Sequence, residues 1–325
     1  MGTTEKVSII IPTFNRKNEL RNCLESIYRQ DYPNFEVLII DNASTDGTKE
    51  MVLNEYPKIR LFCNKRNLYA CKSRNFGVAV CSGSYVWFLD SDCIIVNNDC
   101  LATMVKLIKS DDTFGGIGGT VYVFDDQSTR IVIPKNNHFE MFDDWDREDF
   151  QLVECDFLPS SNLLMKRDIL LKIGGFTEIY KYLMEDNDLG LKVINLGLKN
   201  VVDRRTVALH PFKTSTIDFM KSYNFYRNIF LYFILNFHHT KWLETLVDRF
   251  QGSNGSFERH ADKISTIKIK GSTQCLNKFS GMLFGLAYVI LLSIPIIKIL
   301  FGSKDYITKY YSLECTPKTG LNMLE

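Results

Sequence analysis

Four short, predominantly apolar runs, Val7–Ile11, Phe35–Ile40, Ile59–Cys63 and Tyr85–Leu89, constrain this chain more than any other feature. A strand without polar alternation has no face to give to water and must be covered on both sides. Between the runs, Lys17–Arg29 places Leu20, Cys23, Leu24 and Ile27 at helical spacing, and Thr48–Asn54 and Ala70–Val80 read as further helices. Strands separated by such helices pair in parallel through right-handed crossovers, so the expected fold is α/β, a doubly wound, Rossmann-like and mostly parallel sheet flanked by helices.

In sheets of this kind ligands sit beyond the carboxyl ends of the strands. The residues there are Pro12-Thr13-Phe14-Asn15, Asp41-Asn42, the stretch 64–67 and Asp90-Ser91-Asp92. Asp90 and Asp92 crowd carboxylates directly after a buried strand, which calls for a counter-cation, and hard oxygen ligands suit Mg²⁺ or Mn²⁺. An isolated pair of this kind would ordinarily be a helix cap. Its place at a strand end favours the metal. Residues 115–119 (Gly-Gly-Ile-Gly-Gly) enter an apolar run and not a helix, so the dinucleotide fingerprint fails and a closely packed strand is expected instead. No P-loop motif occurs.

Downstream, Leu163–Met165 reads as a strand, Arg167–Ile173 as a helix and Gly174-Gly175-Phe176 as a turn. Glu185, Asp186 and Asp188 then open a helix over Leu189–Leu196 that Gly197 ends. Acidic residues in a first turn complement the helix dipole, but three exceed that need. Crowding raises a carboxylate's proton affinity and prepares it as a general base. His210 ends a further strand, where it can ligate a metal or contact phosphate. The acidic loop around Trp145 reads as solvated surface.

At 325 residues the chain is too long for one ordinary domain and too short for three. Thirty-nine basic against thirty-eight acidic side chains leave no field for a nucleic-acid backbone, so nucleic acid is excluded as a partner. Nine cysteines without a C-x-x-C pair read as reduced core thiols. No secretory leader is read at Met1–Lys6, so the catalytic part is expected on the cytosolic side.

The order Val7-Ser8-Ile9-Ile10-Ile11-Pro12-Thr13-Phe14-Asn15-Arg16, then Leu38 through Thr48, then Phe88-Leu89-Asp90-Ser91-Asp92 resembles family 2 glycosyltransferases of the GT-A fold. The resemblance continues through Ser73-Arg74-Asn75, Gly174-Gly175-Phe176, Glu185 to Leu189 and His210, over residues 5 to 230. It implies that Pro12, Thr13, Phe14 and Asn15 wall a nucleotide, with Asp41 on the base or ribose and Arg74 near the diphosphate. Asp90 with Ser91 would meet the ribose, Asp90 and Asp92 the metal, and His210 the metal or diphosphate. Asp186 would be the base, with Glu185 beside it as the other catalytic candidate. Similar proteins often carry Gly where this chain has Asn67-Leu68-Tyr69. The implied activity is inverting transfer of a sugar from a nucleoside-diphosphate sugar to an acceptor hydroxyl, aided by Mn²⁺ or Mg²⁺. The implied acceptor is a glycan or lipid-linked precursor.

Tyr223–Phe237 is aromatic-rich and reads either as core or as an interfacial segment, and it holds an Arg227-Asn228 pair of a kind many similar proteins carry. Phe279–Ile297 is nineteen residues without a charge, close to the roughly 20 of a bilayer span, and lysines flank it on both sides. The expected organisation is a catalytic domain over 1–215, with a nucleotide-sugar half to about 112 and an acceptor half from about 113. A helical and loop extension over 216–278, a membrane-associated helix over 279–301 and a polar tail over 302–325 would follow, at the cytoplasmic face of the cell membrane. Alternatives are a polyprenyl-phosphate sugar synthase, a non-catalytic nucleotide-sugar or glycan binding protein, which intact Asp90, Asp92 and Asp186 argue against, and a nucleotidyltransferase, which lacks its basic triphosphate loop.

Overall fold

A computed structural model describes residues 4–124, 129–135, 138–142, 152–181, 183–211, 227–228, 231–232, 235–236 and 322–324. Contacts divide the chain into two units, Met1–Ser215 with Asp305–Glu325, and Thr216–Lys304. In the second unit the described residues are helical, and Arg227 Nη1 donates to Asn228 Oδ1 at 2.9 Å. The runs around Trp145 and over 279–301 lie outside the described residues. Among the described residues no helix is long and apolar enough to cross a membrane.

The first unit opens with the expected alternation: β1 (Val7–Thr13), α1 (Lys17–Tyr28), β2 (Phe35–Asp41), α2 (Thr48–Glu55), β3 (Arg60–Asn64), α3 (Tyr69–Val80) and β4 (Tyr85–Leu89). A two-residue strand β5 (Ile94–Ile95), α4 (Cys100–Ser110) and the long β6 (Phe114–Phe124) follow. Then come β7 (Thr129–Lys135), β8 (His138–Phe142), β9 (Leu152–Cys155), β10 (Asn162–Lys166), α5 (Arg167–Lys172), α6 (Glu185–Asn195), β11 (Lys199–Pro211) and β12 (Asn322–Leu324). The sheet runs β12-β3-β2-β1-β4-β10-β6-β11-β5, with β7, β8 and β9 branching from it. Along that path only β10 and β5 oppose the common direction, so the central sheet is mostly parallel. The last strand, β12, lies within the stretch read from sequence as a polar tail and pairs with β3.

Helices cover both faces because the strands offer apolar side chains to each. Ile9 and Ile11 pack with Leu20, Cys23, Leu24 and Ile27 of α1, all fully buried. On the other face α3 lies against β1 so closely that a Cβ at Gly77 would come 2.5 Å from Ile10 Cγ2. The close packing expected at residues 115–119 is found in β6, where a Cβ at Gly118 would meet Leu158 Cδ2 at 2.7 Å. All seven cysteines among the described residues are buried and free.

The polar interruptions of β1, β2 and β3 find one another. Ser8 of β1 stands in register with Glu36 of β2, and its hydroxyl donates to Glu36 Oε1 at 2.7 Å. The same oxygen accepts from the Ser82 amide and hydroxyl, while Arg60 of β3 donates to Oε2 at 3.0 Å. A single carboxylate thus ties together three strands and the turn before β4. Burial alone would raise the Glu36 carboxyl, but these donors outweigh it and hold it at about 2 against an ordinary 4.5. With the folded value depressed, the stabilisation is complete above the unfolded value and disappears as pH falls from 4.5 through about 2. Glu36→Gln is expected to lower stability at neutral pH by about 2 kcal/mol and to flatten its pH dependence across that window, measured by denaturant titration.

Candidate active site

The carboxyl edge of the sheet gathers the chemistry. After β4 the chain passes Asp90-Ser91-Asp92 and immediately forms β5, whose Ile94 and Ile95 pair with Leu209 and Ala208 of β11. Strand β11 is bulged between Asp203 and Val207, which resets its register before His210. This pairing brings His210 Nε2 to 3.5 Å from Asp90 Oδ2 and 3.6 Å from Asp92 Oδ1. Cys93 lies with Asp92 and His210 in the same cluster, its thiol pushed far up by burial first and the Asp90 charge second. Two carboxylates and one imidazole at one edge form a donor set that fits Mg²⁺ or Mn²⁺, hard cations that take few protein ligands.

Each carboxylate also holds a guanidinium. Arg74 of α3 donates from Nη2 to Asp90 Oδ1 at 2.6 Å, and Arg16 donates from Nη1 to Asp92 Oδ2. Desolvation works against the Asp90 charge, yet Arg74 and then His210 hold its carboxyl well below the usual range. The Arg74 side chain is only 3% exposed and its guanidinium lies 5.2 Å from the Phe176 ring centre. Its Nη1 is 4.0 Å from Glu185 Oε1, and its Nε and Nη1 have no hydrogen-bond partner among the described residues.

Glu185 and Asp186 form the first turn of α6, which therefore begins four residues before the expected Leu189. No side chain caps this helix: its N-cap is Met184, in left-handed backbone, so the carboxylates are not spent on capping. Burial raises both acids, and for Glu185 the neighbouring Asp186 charge adds to it. Ser160, in the loop before β10, hydrogen-bonds Asp186 and opposes part of that rise, as does Arg74. Glu185 is buried, whereas Asp186 is partly open. Asp188 differs from both. Its Oδ2 accepts from Thr177 Oγ1 at 2.6 Å and lies 3.0 Å from Lys192 Nζ, which also reaches the Thr177 hydroxyl and the Gly175 carbonyl. Asp188 is a clamp that fixes the preceding strap to α6.

The strand-end residues line the same edge. Pro12 and Thr13 are buried, Phe14 is 43% exposed and Asn15 is exposed. The Asn15 amide donates to Ser44 Oγ at 2.8 Å, and Asn15 Oδ1 accepts from the Thr45 amide at 2.7 Å. Asp41 is buried, which raises its carboxyl despite hydrogen bonds from the Ser44 amide and hydroxyl. Asn42 Oδ1 accepts from Asn64, the Leu68 amide and Ser73, stitching the ends of β2 and β3 to α3. Among the described residues, non-glycine backbone at positive φ occurs at Asn15 and Ala43 just past strand ends, at Tyr69 where α3 begins, and at Leu183 and Met184 just before α6. Tyr69, with φ of 64°, stands in the stretch where similar proteins often have Gly, so the left-handed turn is kept without the residue that favours it.

The structure thus brings together Asp90, Asp92, His210, Arg74, Glu185 and Asp186, with Pro12 to Asn15 and Asp41 on adjacent turns of the same edge. Sequence reasoning missed the parts played by Arg16 and Ser160. Arg16 stands in a strand-end loop beside Asp92, a placement that could have suggested the pair. Nothing local marks Ser160.

A mostly parallel sheet with a paired-carboxylate motif after β4 and an acid pair across from it defines a GT-A glycosyltransferase. The mannosyltransferase PcManGT from Pyrobaculum calidifontis, in complex with GDP-Man and Mn²⁺, shares the fold with a TM-score of 0.56 over 89% of this chain and 81% of that one, at 17% identity. Residues 8–174 match the family described as Glycosyl transferase family 2, and the chain belongs to that family. It is 43% identical over 137 residues to an uncharacterised glycosyltransferase of Rickettsia felis, covering 42% of this chain and 21% of that protein. It is 32% identical over 109 residues to the Escherichia coli UDP-Glc:alpha-D-GlcNAc-diphosphoundecaprenol beta-1,3-glucosyltransferase WfgD, covering 33% of this chain and 43% of that one. Each match thus spans less than half of the relative's length.

The differing environments of the α6 acids predict opposite effects on stability. Asp188→Ala removes one partner of a buried ion pair and should destabilise by about 3 kcal/mol. Glu185 has a folded value raised above its ordinary 4.5, so its charge costs stability as pH rises past that value. Glu185→Gln should therefore stabilise at neutral pH by about 1 kcal/mol. Thermal melts of the two variants at pH 5 and pH 8 check both signs.

Proposed function

We propose that this glycosyltransferase is metal-dependent and inverting, and that it moves a sugar from a nucleoside-diphosphate sugar to the hydroxyl of a glycan acceptor carried on a lipid or destined for the cell surface. The observation that carries the reading is the joining, through buried Arg74, of the Asp90–Asp92–His210 cluster to an acid pair of raised proton affinity. Asp90, Asp92 and His210 would hold Mn²⁺ or Mg²⁺, whose Lewis acidity neutralises charge developing on the leaving diphosphate. Pro12, Thr13, Phe14 and Asn15 form a wall for the nucleotide, with Asp41 and Ser91 on its base and ribose side.

Asp186 suits the base. It is the more open of the two acids, and burial has lifted its proton affinity towards the working pH. As the acceptor oxygen attacks the anomeric carbon, Asp186 takes its proton and the bond to the diphosphate oxygen breaks on the opposite side, inverting the configuration. Glu185, beside it in the first turn of α6, has its own carboxyl raised by burial and by the Asp186 charge. Arg74, bonded to Asp90 and 4.0 Å from Glu185, would fix the separation of leaving-group and acceptor sides.

Two names support the substrates. WfgD carries a UDP-glucose donor and a diphosphoundecaprenol acceptor in its name, and PcManGT is held with GDP-Man and Mn²⁺. The uncharged run from Phe279 to Ile297 fits an acceptor presented at a membrane, at its cytosolic face.

Asp92→Ala is expected to abolish Mn²⁺- or Mg²⁺-dependent release of nucleoside diphosphate from a screened panel of nucleotide sugars. Full activity of that variant in EDTA would sink the metal role. Asp186→Asn should keep donor binding while turnover drops by about 10² to 10⁴. Because the Asp186 carboxyl is raised above its ordinary 3.8, wild-type turnover should fall with acid on a limb lying above that value, and the Asn variant should lack the limb. Normal turnover by Asp186→Asn would move the base elsewhere.

Deleting residues 280–301 while keeping 302–325, which include the β12 partner of β3, tests the membrane part of the reading. The shortened protein should extract without detergent and still bind donor. Continued need for detergent, or loss of nucleotide binding, would overturn the membrane assignment.

A further inference from the structure

Arg16 stands where the proposed metal would have to bind. It is the N-cap residue of α1, its guanidinium is paired with Asp92, and its side chain is 40% exposed while that of Asp92 is 7% exposed. The backbone before it is anchored, since Asn15 is bonded to Ser44 and Thr45 on the neighbouring loop. A fixed root with an open, long side chain lets the guanidinium swing while its Cα stays put.

The charges around it balance. Asp90 is matched by Arg74 and Asp92 by Arg16, with His210 between the two carboxylates. A divalent cation entering alone must displace Arg16 from a nearly buried carboxylate and leave the edge with surplus positive charge. A divalent cation arriving with a dianionic diphosphate adds no net charge. The displaced guanidinium then has a new anion within reach, because Arg binds phosphate oxygens in the same fork geometry as a carboxylate.

Resting on the metal reading above, we propose that Arg16 is a positioning residue that occupies the cation seat at Asp92 until metal and nucleotide arrive together, and then turns to the diphosphate. Arg16 thereby makes metal binding depend on nucleotide, through a reciprocal coupling between the two ligands.

The test measures Mn²⁺ binding to the full chain by the electron paramagnetic resonance signal of free Mn²⁺, alone and with UDP or GDP. Wild type should bind Mn²⁺ weakly by itself and more tightly with the nucleoside diphosphate it recognises. Arg16→Gln should bind Mn²⁺ alone roughly fivefold more tightly or better, since the competing ion pair is gone, and should gain less from nucleotide. Arg16→Lys keeps the charge and should stay near wild type. If wild type shows nucleotide-dependent Mn²⁺ binding but Arg16→Gln binds Mn²⁺ alone no more tightly, the seat role of Arg16 is overturned while the metal reading stands. If neither protein binds Mn²⁺ with either nucleotide, the metal reading fails and takes this role with it.

Discussion

A guanidinium buried at the level of Arg74 is tolerable only if it is paired, because a cation removed from water without partners costs several kcal/mol. Asp90 provides the bonded partner, the Phe176 ring faces the guanidinium, and Glu185 Oε1 stands 4.0 Å from Nη1. These groups come from α3, the end of β4, α6 and the turn before it, so the demands of one cation hold the two halves of the sheet at a set distance. The grip of α3 on β1 at Gly77 and Ile10 fixes where that cation can stand. The Asp90 carboxylate, Glu185 and the Phe176 ring of the strap over Gly175 to Tyr180 are all placed relative to Arg74.

The acids of α6 show how environment divides labour among like residues. Asp188 is satisfied by Thr177 and Lys192 and serves the scaffold. Glu185 and Asp186 are each left with one buried oxygen that has no hydrogen-bond partner among the described residues, and their proton affinity rises. The left-handed residues Leu183 and Met184, just before this turn, are consistent with backbone strain concentrated at a working edge.

Membership of the family rests on residues 8–174, which hold the strand ends, Arg74, Asp90 and Asp92. Glu185, Asp186 and His210 lie beyond that stretch. Their inclusion in the site comes from geometry: the β5 to β11 pairing carries His210 to the carboxylates, and Arg74 reaches Glu185. The matched stretches cover only part of each relative, 21% and 43% of the two proteins' lengths.

Much was legible in the chain alone. Runs that are apolar on both faces can persist only inside a sheet covered by helices, and carboxylates at the strand ends then fall on one edge whatever the loops do. That logic reaches the parallel half of the fold, Asp90 with Asp92, and the excess of acids at Glu185 to Asp188. It does not reach β5, too short to announce itself, nor the bulge that aims His210, because both depend on pairing with residues far along the chain. It left Asp188 and Asp186 equivalent, since only the packed strap shows which acid is already satisfied. Local patterning records what each segment must bury. Which charges meet, Arg74 with Asp90 and Arg16 with Asp92, is decided where distant segments close on one another and exclude water, and only the tertiary structure holds that information.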